Sequence, residues 1–145
     1  MLDNKDYCDY DTCVALKELG YVGSSRYYYT QRDHKFHYDT YNKFYTVRTA
    51  DAMGYVLAIH LYDAQKWLRE EKKVHIEVYA CAGGYMWELC KAYETNTFSG
   101  GTTIYVFDDV ANPKLNDAGR YDSYEEALLE GIKEAIKILT NNKNE

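Results

Sequence analysis

The stretch Val74-His75-Ile76-Glu77-Val78-Tyr79-Ala80-Cys81-Ala82-Gly83-Gly84-Tyr85 decides the fold. Val74, Ile76, Val78 and Ala80 fall on one face of an extended chain, and His75, Glu77, Tyr79 and Cys81 on the other. That pattern predicts a strand with one dry face. Ala82-Gly83-Gly84 tolerates positive φ, and residues 85 to 93 alternate again, so the two runs are expected to form an antiparallel hairpin. A third strand is expected over residues 102 to 107, before an irregular stretch holding the only proline, Pro113.

Helical spacing takes over on both sides of this hairpin. Leu61, Ala64 and Leu68 share a face with Trp67 beside them, predicting a helix from Leu61 to about Lys72-Lys73. Ser123-Tyr124-Glu125-Glu126 reads as a capping box opening a final helix, whose buried stripe is Leu128, Ile132, Ala135 and Leu139. Gly131 lies beside that stripe, where it would permit close approach to a sheet. The second half therefore reads α-β-β-β-α, an α+β fold with helices packed on one face of an antiparallel sheet. Double-stranded-RNA-binding domains share that order, but Glu125, Glu126, Glu130 and Glu134 stand where such a domain would present lysines.

Towards the N-terminus, Thr12, Ala15, Leu16 and Leu19 recur at helical spacing, with Asp9 as N-cap and Gly20 as stop. Residues 26 to 48 are dense in Tyr, Phe, Thr and Val with polar breaks, which predicts two or three short strands without a clean period. Residues 55 to 60 are expected to be extended. The whole reads as one domain over residues 1–140 with a frayed polar tail at 141–145.

Seventeen basic and twenty-three acidic side chains leave a net charge of −6, which disfavours long-range attraction to nucleic acid or anionic lipid. No apolar run approaches the ~20 residues of a membrane span. The acidic start is unlike a signal peptide, so a cytoplasmic location is expected, with Cys8, Cys13, Cys81 and Cys90 reduced. Their spacing matches neither a CxxC redox pair nor a zinc site. His34 and His37 could join Cys8 or Cys13 on a metal, but metal-free strand or turn histidines are the simpler reading, and no cofactor is expected.

Three segments carry a resemblance: Leu16-Lys17-Glu18-Leu19-Gly20-Tyr21, the block Tyr62-Asp63-Ala64-Gln65-Lys66-Trp67-Leu68-Arg69-Glu70 followed by His75, and Tyr124-Glu125-Glu126-Ala127. In this order they resemble an uncharacterised family of small phage and prophage proteins from gut Bacteroides-type bacteria. Prolines precede the second of these segments in that family, where this chain has Ala58-Ile59-His60, so residues 22 to 58 stand outside the resemblance. It implies a phage accessory protein in a bacterial host and brings no catalytic residues with it.

No nucleophile elbow, P-loop, dinucleotide fingerprint or His-Glu-x-x-His helix occurs, so no enzyme is expected; a hydrolase using Cys81 or His75 is the weakest alternative. Seventeen tyrosines exceed what a small core absorbs, and exposed rings beside arginine suit partner or nucleobase binding. Cross-strand aromatic ladders are the structural counterpart of that reading. Arg69 and His75 could form a polar corner for phosphate or carboxylate, against a solvated pair of Arg69 with Glu70 or Glu77.

These residues predict a non-catalytic accessory protein that blocks or sequesters a host antiviral component, either a host protein or a small nucleotide signal. Tyr28, Arg32, Arg69, His75 and Trp87 are the expected partner-binding residues. The alternative is a ligand-free module that forms a homo-oligomer through its tyrosine-rich strands.

Overall fold

The computed structural model describes residues 4–41, 43–81, 83–92, 102–107 and 121–143, without side chains for 81, 91–92, 102–107 and 142–143. Helices and antiparallel sheets are mixed, as an α+β fold requires. The chain divides into two compact units, residues 1–64 and 65–145.

The first unit begins with α1, Tyr10–Glu18. Asp9 caps it, accepting the Thr12 N–H at 2.9 Å. Cys8 before the cap and Cys13 in the second turn occupy the two positions of a hydrophobic staple, and both are fully buried. At the other end Tyr21 N–H donates to Leu16 O and Gly20 N–H to Lys17 O, with Gly20 at φ +104°. This is a Schellman stop, and it delivers Tyr21 into the interior beside Leu16.

Short strands fill the region that lacked a period. β1 (Ser24–Ser25) pairs with β4 (Tyr45–Thr46), while β2 (Tyr27–Thr30) is the middle strand between β3 (Phe36–Tyr38) and β5 (Tyr55–Leu57). Both faces of β2 are aromatic. Tyr27 and Tyr29 contact Phe36 on one side, and on the other Tyr28 stacks on Tyr55 at 4.0 Å. A six-residue helix, α2 (Val47–Ala52), follows β4 and was not expected. Thr46 and Thr49 close its capping box, each side chain accepting from the other's backbone N–H.

α3 (Leu61–Glu71) crosses the boundary between the units. In the second unit β6 (Val74–Cys81), β7 (Gly84–Ala92) and β8 (Thr102–Phe107) form the antiparallel sheet in the order β6-β7-β8, with Val78 opposite Trp87 and Ile76 opposite Leu89. α4 (Tyr124–Lys143) packs on β6 and β7 and buries Leu128, Ile132 and Ala135 as its spacing required. Ser123 accepts the Glu126 N–H at 3.1 Å. The return half of the capping box differs, because the Glu126 carboxylate accepts from Asp122 N–H instead of from Ser123. The helix continues to Lys143, through residues expected to be a tail. No helix among the described residues is long and apolar enough to cross a membrane.

A candidate binding groove

Two antiparallel joins build the site within the first unit. Tyr7 bridges His60, and the segment is tied by Cys8 N–H to Ile59 O at 2.8 Å and Leu61 N–H to Asp6 O at 2.9 Å. Ala58 N–H in turn donates to Tyr27 O at 3.0 Å. The chain before α1 and the chain before α3 are thereby laid beside β2. Between them runs a groove of about 410 Å³ whose lining includes Tyr7, Tyr27, Phe44, His60 and Tyr62, with Arg26 and Asp63 as its charged members.

Its aromatic wall is continuous. Tyr7 lies 4.9 Å from Tyr27 and 5.1 Å edge-on from His60, and His60 lies 5.1 Å from Tyr62. His60 Nδ1 accepts the Tyr62 N–H at 3.2 Å, an arrangement that fits the neutral ring protonated on Nε2. Phe44 and Tyr62 remain 62% and 50% exposed, so the rim is wet while the floor at Ala58 and Ile59 is dry.

Arg26 is the unusual member. It donates through Nη2 to Asp39 O at 3.1 Å, yet its Nε is buried with no hydrogen-bond partner among the described residues. A buried donor left unpaired costs about 1–3 kcal/mol, more when the group is charged. Nε itself is covered, so an anion in the groove would be met by the outer Nη donors of this guanidinium. Asp63 carries the opposite charge, and its carboxylate acts on two phenols of the lining. Burial and Asp63 push the Tyr21 hydroxyl up to about 12. Tyr7 is raised by burial first, then by Tyr27, Asp63 and Asp6.

A larger hollow of about 730 Å³, lined in part by Val22, Thr46, Val47 and Arg48, adjoins Tyr21. Its greater volume does not make it the better candidate, because its lining holds a single ring, Tyr21, and its acid, Asp51, is engaged by Lys17 at 2.9 Å. Convergent aromatic and charged groups are concentrated in the smaller groove.

Of the five residues expected to bind a partner, Tyr28 and Arg32 belong to the first unit and Arg69, His75 and Trp87 to the second. Tyr28 belongs to the aromatic ladder with Tyr55, His37 and Tyr45, and Arg32 is exposed in the turn after β2. Arg69 is exposed on α3 and has no ion-pair partner among the described residues. His75 sits opposite Cys90 on β6, whereas Trp87 shares the other face of the hairpin with Val78 and Ile76. The pleat thus keeps His75 and Trp87 from lining one site. Trp87 is only 4% exposed, with its indole N–H directed to Tyr121 Oη at 3.5 Å, so it is a core residue. The groove instead takes Arg26 and Tyr27, the two residues before Tyr28. The available signal was an arginine placed directly before three tyrosines.

His34 stacks on Tyr10 at 3.6 Å and His37 on Tyr28, and among the described residues no three potential ligands are grouped for a metal ion. The buried Cys8 thiol is held well above its usual range by hydrogen bonding to Cys13 and by desolvation. Cys90 is raised by desolvation and by Glu88 and Glu77. Thiols held in the protonated form make poor nucleophiles.

No protein-family model matches this chain, and neither the curated proteins nor the solved structures compared with it give a match.

Proposed function

We propose that this chain is a non-catalytic binding protein whose ligand site is the aromatic groove around Arg26, and that it acts as a phage accessory protein sequestering a nucleotide-type signal of the host's antiviral response. The single observation that carries the ligand site is the guanidinium of Arg26 in the lining of one groove with rings able to stack on a flat base. The resemblance of its helical segments to small phage proteins supports the biological setting.

Titration calorimetry of the whole chain with a panel of nucleoside monophosphates and cyclic nucleotides tests this. Binding that is lost in Arg26→Gln with an unchanged circular dichroism spectrum supports the site. Failure of every nucleotide, together with capture of a host protein in a pull-down that Arg26→Gln leaves intact, would sink it.

The second reading is a homo-oligomer. Tyr41 and Phe44 are 90% and 62% exposed, more than an isolated surface readily leaves bare, and pairing of two copies could cover them. Light scattering at tens of micromolar decides: a strict monomer removes it.

A further inference from the structure

We infer that the groove selects guanine nucleotides, with Asp63 reading the base and Arg26 holding the phosphate; the inference rests on the binding role proposed above. Opposite charges line this aromatic groove, so the complementary ligand has an anion, a flat face and a hydrogen-bond donor edge. A carboxylate offers only acceptors, two oxygens side by side. Guanine presents N1–H and N2–H as adjacent donors that meet those two oxygens together. Adenine presents its N1 acceptor at the corresponding edge, which a carboxylate repels. Uracil has a single N–H between two carbonyls, and cytosine sets one amino donor beside an acceptor.

The surroundings of Asp63 suit this role. It is exposed in the first turn of α3, at the mouth of the groove, and forms no hydrogen bond or ion pair among the described residues. It lines the groove together with Tyr7 and Tyr21, whose hydroxyls its charge helps to raise. Arg26 supplies the counter-charge for phosphate, and Tyr7, Tyr27 and Tyr62 supply ring faces for the base.

The test is calorimetry of the full chain with guanosine, inosine and adenosine monophosphates, free guanosine and inorganic phosphate. Guanosine monophosphate is expected to bind about tenfold or more tightly than adenosine monophosphate, with inosine monophosphate between them, as a bidentate base contact implies. Guanosine and phosphate alone should each bind more weakly than the nucleotide. Asp63→Asn should erase the preference for guanine while retaining affinity for phosphate-bearing ligands, and Arg26→Lys should weaken all nucleotides without changing the preference. Equal binding of guanosine and adenosine monophosphates, or a preference unchanged in Asp63→Asn, overturns the guanine assignment and leaves the groove a nucleotide site. Absence of binding by every nucleotide overturns this inference and the nucleotide reading beneath it.

Discussion

A Cβ placed on Gly131 of α4 would stand 2.7 Å from Ile76 Cγ2 on β6 and 3.4 Å from Trp87 Cβ on β7. The helix therefore lies closer to the sheet than any side chain at that position allows. Gly131→Ala should gain up to about 1 kcal/mol of helix propensity. It should lose about 1–3 kcal/mol to overpacking, because both neighbours are themselves held by the sheet. Urea unfolding should show net destabilisation. In an Ile76→Ala background, which removes the methyl in the way, the same substitution should cost less; an equal cost in both backgrounds would refute the contact as the cause.

Trp87 and Arg69 separate a core role from a surface one in the same unit. Trp87→Ala empties a buried site beneath α4 and should destabilise by about 3–5 kcal/mol. Arg69→Ala, at an exposed helical position, should stay within about 0.5 kcal/mol of the parent. Thermal and chemical unfolding of the two variants side by side measures the contrast.

Tyr29 reaches across the first unit to donate to Cys8 O at 2.6 Å, and its ring is 2% exposed. Tyr29→Phe leaves that carbonyl with only the Cys13 thiol as donor among the described residues, at 3.5 Å, and should cost about 0.5–1.5 kcal/mol. The backbone bond from Cys8 N–H to Ile59 O is untouched, so the loss should appear in the unfolding midpoint without a change of fold by circular dichroism.

Alkaline pH should unfold the first unit through its tyrosines. Burial raises Tyr21 and Tyr28 to about 12 and raises Tyr29 as well, against an ordinary value near 10. Below pH 10 these phenols are protonated in both folded and unfolded chains. Between about pH 10 and 12 the unfolded chain releases protons that the folded chain retains, so stability falls as pH rises through that window. Melting temperatures should be level from pH 8 to 9.5 and then drop, together with the rise of tyrosinate absorbance. A flat profile to pH 11.5 would contradict the burial of these hydroxyls.

What the sequence determined by itself was the regular half. Val74 and Ile76 are buried while His75 and Glu77 are not, because only one face of β6 meets α4, so burial is written there into the spacing of single residues, whereas Ala80 near the hairpin turn is exposed against expectation. Asp9, Gly20 and Ser123 mark helix ends because capping is local chemistry, complete within a few residues. Residues 22 to 58 gave no period for an equally physical reason. Tyr27, Tyr28 and Tyr29 meet rings on both faces of β2, so the in-out contrast that reveals a strand is absent. α2 is too short for a hydrophobic stripe, and its one local signal was the Thr46-x-x-Thr49 box. Only the tertiary structure decided the groove and the fate of Trp87. Arg26, Tyr7 and Asp63 are far apart in sequence and meet because Tyr7 bridges His60 beside β2, and Trp87 is core because the pleat turns it towards α4. Such pairings depend on which segments fold against each other, information that no single segment carries.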